Sequence, residues 1–323
     1  ARKSDTPLLH RGFLGQVRRH PLRLAVVDSR VGRFSYLKTA AASLVLARHL
    51  RARISGHPMV GVLLPPTVGG VLTNIALQFM GRIAINLNYT VSPHSLRSSA
   101  QQCGLTHVIT SKAFLEKLPV EVPGEPVYLE DVLRDVRPMD RVRAALAAMF
   151  LPAAVIERRL GAPPNRSVDD LATVIFSSGS EGEPKGVMLS HFNIASNING
   201  SYQVFQVTKR DIIVGFLPFF HSFGYMATIW LPLCKGFSAL YHPNPLEPRV
   251  IGALVKEHQA TFMVATSTLL QGFIRRCDPD DLASLRFVIC GAEKLVRRVA
   301  NAFETKFGIA PLEGYGTTEC APV

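Results

Sequence analysis

The feature of this sequence that most constrains its fold is an alternation of apolar, β-rich runs with segments of helix length. The apolar runs are nearly continuous, which is typical of strands buried on both faces of a parallel sheet. Ser35 and Ser92 stand at expected helix N-caps, Pro93 follows in a first turn, and Gly104 marks a helix end. We therefore predict an α/β fold of mostly parallel sheets flanked by helices. The predicted strands cover residues 22–28, 60–64, 82–87, 106–110, 171–177, 212–218, 237–242, 261–266 and 286–291.

Two segments without Lys, Arg, Asp or Glu, 59–81 and 212–234, are long enough to resemble membrane spans. Two adjacent prolines interrupt the first segment, and two prolines and a histidine interrupt the second. Because proline ends or kinks a helix, we predict that each segment forms a strand, a loop and a helix. The sequence therefore predicts no transmembrane helix.

The net charge of +12 is concentrated in the first 53 residues, where the acids are Asp5 and Asp28. A basic end of this kind suits nucleic acid, anionic lipid or an acidic protein such as a carrier protein. No nucleic-acid-binding motif is found, and the basic residues are not interleaved with stacking aromatics, so we predict no nucleic-acid partner. The basic residues are Arg2, Lys3, Arg11, Arg18, Arg19, Arg23, Arg30, Arg33, Lys38, Arg48, Arg51 and Arg53.

The five cysteines are far apart and never form a CxxC pair. This spacing argues against a disulfide scaffold or a zinc ribbon and indicates a reducing compartment. We predict a cytoplasmic protein, with peripheral contact to the inner face of the membrane as an open alternative. Four cysteines lie in apolar segments and are predicted to be core, whereas Cys320 has no neighbouring base and is not expected to be a nucleophile. The four are Cys103, Cys234, Cys277 and Cys290.

Residues 138–160 have a helical composition, with arginines at both ends and a predicted break at Pro152. A polar, proline-containing segment, 162–170, follows and resembles a linker. The helical segment is interpreted either as an ordinary surface helix or as an interfacial helix on anionic lipid, which needs an apolar face and basic flanks. The sequence leaves both interpretations open.

A segment rich in Ser and Gly, SSGSEGEPKG at 177–186, follows a predicted buried strand and precedes a helix that Ser190 caps. Small residues let backbone amides approach an anion, hydroxyls add donors, and a lysine supplies a mobile positive charge. The segment departs from the Walker pattern, because Pro184 stands where glycine is required. We predict a phosphate-binding loop. Its candidate residues are Ser177, Ser178, Gly179, Ser180, Gly182 and Lys185.

Three further segments follow in order: LPFFHSFG at 217–224, GAE at 291–293 and YGTTE at 315–319. Together with the loop, they resemble the motifs of the adenylate-forming superfamily, which includes acyl-CoA synthetases, luciferases and peptide-synthetase adenylation domains. The resemblance implies ATP and Mg²⁺ as cofactors and extends along most of the chain. The nucleotide-binding residues that it implies beyond the loop are Gly291, Ala292, Glu293, Tyr315, Gly316, Thr317 and Thr318.

Within the family, catalytic roles are implied for four residues. Lys185 suits the leaving pyrophosphate, Thr318 the α-phosphate, and Glu319 a magnesium ion, a hard cation that prefers oxygen ligands. For His221 two interpretations stay open: it orients the substrate carboxylate, or it is a satisfied buried histidine. The aromatic side chains of Phe219, Phe220, Phe223 and Trp230 are candidates either for an acyl pocket or for ordinary core.

The motif segments of this chain resemble one branch of the superfamily in particular. This branch is the synthetase part of bacterial bifunctional 2-acylglycerophosphoethanolamine acyltransferase/acyl-carrier-protein synthetases. Most of the superfamily has Thr where this chain has Glu181. We interpret the glutamate as a branch feature; alternatively, a carboxylate beside the phosphates would weaken ATP binding by repulsion.

The resemblance implies the N-terminal part of an ATP-dependent fatty acyl ligase, which forms acyl-AMP and then a thioester on acyl carrier protein or CoA. We expect a partial AMP-binding domain, 1–323, that ends before a small barrel and a C-terminal domain and is inactive alone. Its expected subdomains are 56–205 and 1–55 with 206–323. The alternative is a non-catalytic acyl-binding or membrane-associated module. Membrane or carrier contact is expected through 138–160 and the basic N-terminal region.

Overall fold

A computed structural model describes residues 3–28, 31–54, 56–177 and 183–323. The strands within these ranges are short and mostly buried, as the apolar runs require. They are β1 (Leu24–Asp28), β2 (Gly32–Ser35), β3 (Met59–Val62), β4 (Ile83–Asn86), β5 (His107–Thr110), β6 (Glu125–Tyr128), β7 (Leu171–Ser177), β8 (Lys185–Ser190), β9 (Ile212–Gly215), β10 (Ser238–Tyr241), β11 (Phe262–Ala265), β12 (Phe287–Cys290) and β13 (Leu312–Glu313).

The described strands form two sheets. The larger has the order β13-β12-β11-β9-β10-β1-β2, and the smaller has the order β6-β5-β3-β4-β7-β8. Pairing is parallel throughout except for the edge strands β2 and β8, which run antiparallel to β1 and β7. The prediction of mostly parallel sheets is confirmed, and the four edge strands β2, β6, β8 and β13 are additions that the sequence had not indicated.

Helices cover the sheets and begin where polar side chains cap them. They are α1 (Leu9–Arg19), α2 (Tyr36–Leu50), α3 (Val68–Phe79), α4 (Pro93–Gln102), α5 (Lys112–Lys117), α6 (Leu129–Leu133), α7 (Pro138–Phe150), α8 (Ala153–Arg159), α9 (His191–Phe205), α10 (Ser222–Gly224), α11 (Leu231–Lys235), α12 (Pro248–His258), α13 (Ser267–Arg276) and α14 (Arg297–Phe307). The predicted caps are confirmed, since the hydroxyls of Ser35, Ser92 and Ser190 each accept a backbone N–H from the first helical turn.

The two charge-free segments are interrupted as predicted. Residues 59–81 contain β3 and α3, separated by the proline pair. Residues 212–234 contain β9, α10, a π-helix at Tyr225–Trp230 and most of α11. None of the helices that the structure describes is both long enough and apolar enough to cross a bilayer.

A continuous core joins the two sheets. Buried side chains from strands of both sheets, among them Val62 and Val264, belong to one apolar cluster. The strands of the larger sheet, β1, β2 and β9–β13, come from residues 24–35 and 212–313, whereas those of the smaller sheet, β3–β8, come from residues 59–190. The expected subdomain boundaries, 56–205 and 1–55 with 206–323, stay a prediction.

The cysteines lie largely where their apolar surroundings indicated. Cys103, Cys277 and Cys290 are buried, Cys234 is partly buried against the core, and Cys320 is exposed. Burial raises the pKa of Cys277 and Cys290 to about 11, which keeps these thiols protonated and unreactive at neutral pH.

Candidate functional site

The carboxyl ends of parallel strands from both sheets open onto one cavity of about 520 Å³. Ser177 ends β7, and Leu217, Thr266, Gly291 and Gly314 each lie one or two residues beyond a strand of the larger sheet. In open α/β sheets, ligands bind outside the carboxyl ends of the strands. The topology therefore places the chemically informative segments at the edge where a ligand site is expected.

Most of the predicted site residues with a described position line this cavity. They come from four segments that are distant in sequence, and each segment follows or ends a strand of one of the two sheets. The residues are Ser177, His221, Gly291, Ala292, Tyr315, Gly316, Thr317 and Thr318.

Three predicted residues lie off the cavity wall. Lys185 is exposed at the start of β8, beside Pro184, which does line the cavity. The carboxylate of Glu293 accepts hydrogen bonds from the backbone N–H and the hydroxyl of Thr268, the latter at 3.1 Å, so it caps α13. Glu319 lies in a 3₁₀ turn and lines a smaller adjoining groove against α9.

The other predicted loop residues lie outside the described part of the chain. They are Ser178, Gly179, Ser180 and Gly182, together with Glu181.

His221 faces the cavity as the N-cap position of α10. Its ring contacts Phe220 at a centroid distance of 4.6 Å and still reaches solvent within the cavity. The surrounding protein desolvates the imidazole and lowers its pKa from the usual value of 6.5. A neutral imidazole at physiological pH can donate or accept a hydrogen bond, which suits the orientation of a carboxylate or phosphate oxygen.

Two glycines permit close backbone approaches at the site. A Cβ at Gly316 would lie 1.9 Å from the carbonyl oxygen of Pro322, and one at Gly224 would lie 2.3 Å from that of Pro218. Neither position accepts a side chain without movement of the backbone, because both obstacles are main-chain oxygens. The glycines of the 217–224 and 315–319 segments therefore have a steric requirement that explains their presence.

The deeper wall of the cavity is apolar and comes partly from residues that sequence reasoning missed. Of the candidate aromatics, only Phe223 lines the cavity, whereas Phe219, Phe220 and Trp230 are buried core. The missed residues are Phe205, Met226, Phe262, Val264 and Ile289. They belong to ordinary apolar runs on α9, the π-helix and the central strands, so no local signal distinguished them from other core residues.

No Asp, Glu, Lys or Arg lines the cavity within the described ranges. Ser95, Ser99 and Ser201 add hydroxyls without charge. A ligand's apolar part therefore has an uncharged pocket, and no carboxylate is present among these lining residues to pair with a substrate ammonium group.

Helix α4 holds the end of the Ser/Gly-rich segment. The hydroxyl of Ser98 donates to the Glu183 carboxylate at 2.5 Å, and the Gln102 side-chain amide donates to the Pro184 carbonyl at 2.9 Å. His94 lies 3.8 Å from the other oxygen of that carboxylate. These contacts connect a helix of the smaller sheet to the start of β8, and no sequence motif had indicated them.

Comparison with known proteins agrees with this arrangement. The family model described as AMP-binding enzyme matches residues 13–323. The chain belongs to the AMP-binding enzyme family. It is 24% identical over 306 residues to the medium-chain fatty-acid–CoA ligase of Escherichia coli (strain K12), covering 94% of this chain and 54% of that protein.

Two further proteins extend the comparison. The chain is 29% identical over 288 residues to the probable 4-coumarate–CoA ligase 3 of Dictyostelium discoideum, covering 84% of this chain and 52% of that one. The crystal structure of ATP-bound MatB from Rhodopseudomonas palustris matches with a TM-score of 0.77 at 22% identity, covering 98% of this chain and 61% of that one. The chain thus spans about half the length of the curated relatives it matches. The expected fold class, the N-terminal part of the adenylate-forming enzyme fold, is confirmed.

Proposed function

We propose that this chain is the N-terminal part of an ATP-dependent ligase that activates an uncharged, apolar carboxylic acid as an acyl-adenylate. The observation that carries the proposal is the convergence of four separated segments on one cavity whose described lining has no charged side chain. Family membership and the two CoA-ligase relatives support the same reaction class.

The proposed reaction begins with in-line attack of the substrate carboxylate on the α-phosphorus of ATP. This attack forms the acyl–O–AMP bond and releases pyrophosphate. A thiolate then attacks the acyl carbon, forms a thioester and expels AMP. Such chemistry depends mainly on positioning and on the neutralisation of developing charge, which is what preorganised donors and cations supply.

Specific roles are proposed for the residues around the cavity. Tyr315 stacks on adenine beside Gly291 and Ala292, which line the same wall. Thr317 and Thr318 donate to phosphate oxygens, Ser177 begins the phosphate loop, and Lys185 near its end pairs with the leaving pyrophosphate. His221 orients the substrate carboxylate. Glu293 accepts a hydrogen bond from Thr268 on α13. It therefore supports the adenine-binding turn through this helix rather than by contacting the nucleotide.

A magnesium ion would neutralise the phosphate charge. Among the described residues no group of three or more His, Cys, Asp and Glu side chains could hold a metal. Glu319, which is exposed in the groove next to the cavity, fits the ion as a single carboxylate ligand, since Mg²⁺ commonly combines one or two carboxylates with substrate phosphates and water.

The proposals for the acyl substrate and the thiol acceptor rest on less specific observations. A fatty acid suits the apolar wall formed by side chains such as Phe205, Met226 and Phe262. The proposed thiol acceptor is CoA, which the two ligase relatives support, or an acyl carrier protein, which the resemblance of the 177–186, 217–224, 291–295 and 312–323 segments to acyl-carrier-protein synthetases implies.

Calorimetric titration with Mg-ATP tests the proposal, followed by titration with a non-hydrolysable acyl-adenylate analogue. Binding is measured rather than turnover because the chain spans about half of its curated relatives. We expect saturable binding of both ligands. Lys185→Ala should weaken ATP binding about ten- to hundredfold, since a hydrogen bond to a charged group contributes about 1.5–3 kcal/mol.

The matched control is Lys256→Ala, which removes another exposed lysine, on α12. Equal loss in both variants would contradict the role of Lys185. Folded protein that binds a fatty acid but neither nucleotide ligand would contradict the ligase proposal and would support a non-catalytic acyl-binding module.

A further inference from the structure

Helix α7 presents a row of large apolar side chains to solvent. The exposed fractions of Met139, Val142, Leu146 and Phe150 are 55%, 52%, 54% and 74%. At about 100° per residue these four positions fall within an arc of about 80° on the helix surface. We refer to these four residues as the α7 stripe. Single exposed apolar residues are common on proteins, but a row along one helix face marks an interaction surface.

The opposite face of α7 packs against α2 through small side chains. Ala144 and Ala148 are buried, and their positions on the helix lie roughly opposite the α7 stripe. The helix therefore turns Ala144 and Ala148 toward the core and the α7 stripe outward, while Met149 is partly buried against the core. This arrangement is the reverse of an ordinary surface helix, whose larger apolar side chains face the core.

The exposed charged side chains of α7 and α8 are basic. At about 100° per residue Arg143 lies beside the α7 stripe, whereas Arg141 lies about 100° from the nearest stripe residue. Exposed arginines occur at the start of α7, within it and at the end of α8: Arg137, Arg141, Arg143, Arg158 and Arg159. Both acidic residues of these two helices form ion pairs. Asp140 accepts from Arg48 at 2.9 Å, and Glu157 is buried in ion pairs with α1. The exposed charge on both helices is thus positive.

We propose that the α7 stripe and its arginines bind the surface of an anionic lipid bilayer. The apolar side chains enter the boundary between headgroups and acyl chains, and the arginines pair with lipid phosphates. An apolar row with cationic groups and no free acids matches an anionic bilayer in both components, whereas an acidic protein would match only the charge. The surface stands independently of the proposed ligase activity, because neither its residues nor its test involves nucleotide.

Vesicle flotation of the whole 323-residue chain tests the proposal. We expect the protein to float with vesicles that contain phosphatidylglycerol and phosphatidylcholine, and not with vesicles of phosphatidylcholine alone. The double variant Leu146→Ser, Phe150→Ser should reduce the partition coefficient at least tenfold, because it removes the C-terminal half of the apolar contact. Both side chains are exposed, so the variant should retain its circular dichroism spectrum and unfolding midpoint.

A matched control is Leu246→Ser, which replaces an isolated apolar side chain that is 77% exposed. This variant should float as the unmodified chain does. Arg141→Gln with Arg143→Gln tests the charge, and each arginine near the surface should contribute about fivefold to binding. Arg18 is unsuitable for this purpose because it donates to the Ala148 and Leu151 carbonyls and so holds the end of α7.

Three results would overturn the proposal. One is equal flotation of the unmodified chain and the Leu146→Ser, Phe150→Ser variant, and another is equal binding to charged and neutral vesicles. The third is self-association in lipid-free sedimentation that the double variant abolishes, which would assign the α7 stripe to a second copy of the chain.

Discussion

At the scale of single residues, the carboxylate of Glu157 joins α8 to α1. Its Oε1 lies 2.7 Å from His10 Nε2 and accepts from Arg11 Nε at 2.7 Å, while Oε2 accepts from Arg11 Nη2 at 2.6 Å. Burial would raise the pKa of Glu157, but the hydrogen bonds from Arg11 and His10 outweigh it and lower the pKa from 4.5 to about 2. Burial lowers the pKa of His10 to about 4.

Both shifts make the folded state less stable in acid. Between pH 4.5 and 2, the Glu157 carboxyl is protonated in the unfolded chain but ionised in the folded one. The stability that the ionised carboxylate contributes is therefore lost as the pH falls through about 2. Between pH 6.5 and 4, unfolded His10 binds a proton while the folded imidazole stays neutral. Stability should therefore begin to fall below about pH 6.5 and continue to fall to pH 2.

Glu157→Gln should lower the free energy of unfolding at pH 7 by about 3 kcal/mol, because it leaves the partly buried charge of Arg11 without its partner. It should also flatten the pH dependence between 4.5 and 2, since the shifted carboxyl is gone. Urea unfolding at several pH values measures both effects.

Glu116→Gln, which replaces an exposed carboxylate on α5, is the control and should change stability by less than about 0.5 kcal/mol. A loss below about 1 kcal/mol in Glu157→Gln would show that this ion pair is not a significant source of stability.

At the scale of elements, α4 connects the smaller sheet to residues near the end of the predicted phosphate loop. Its Ser98 and Gln102 side chains donate to Glu183 and Pro184, and all of these groups are at least partly solvent-accessible. Contacts of this kind position a segment more than they stabilise the whole fold, because water can replace them in the unfolded chain.

Ser98→Ala with Gln102→Ala should weaken ATP binding about three- to tenfold, since each hydrogen bond contributes about 1 kcal/mol or less. The unfolding midpoint should hardly move. Calorimetric titration with Mg-ATP measures the first quantity and thermal unfolding the second. Gln101→Ala, at an exposed position on the same helix, is the control. A large drop in stability with unchanged affinity would assign these contacts to the fold instead.

At the scale of the whole molecule, the two sheets share one apolar core. Trp230, the single tryptophan of the sequence, is fully buried in this core within the π-helix. Phe79 on α3 and Phe303 on α14 are also fully buried and belong to the same cluster, although they cover different sheets. Because this cluster contains side chains from both sheets, we expect the sheets to unfold together, although a second apolar cluster that includes Ile85 and Val108 lies within the smaller sheet.

Phe79→Leu and Phe303→Leu should each cost about 1–2 kcal/mol, since each removes buried apolar carbon. Either substitution should shift the tryptophan fluorescence transition and the circular dichroism transition by the same amount. Denaturant titration with both probes measures this. Two separate transitions, each sensitive to only one of the variants, would show that the sheets unfold independently.

Much of this protein follows from local pattern alone. The buried strands, the serine caps, the helix end before Gly104 and the break at Pro152 are all found where the sequence predicts them, because β-propensity, capping and proline geometry act over a few residues. The motifs at 177–186, 217–224, 291–293 and 315–319 also identify the family without coordinates.

Only the tertiary structure decides which distant side chains meet. Glu293 lies within a motif yet caps α13, Phe205 and Phe262 line the cavity without a motif, and the α7 stripe faces outward although its composition resembles core. Residues far apart in the chain come together through strand order and helix packing, and no local propensity encodes those contacts. The sequence by itself thus determined the elements and the family, whereas packing determined the cavity wall, the ion pairs of Glu157 and the surface that α7 leaves open.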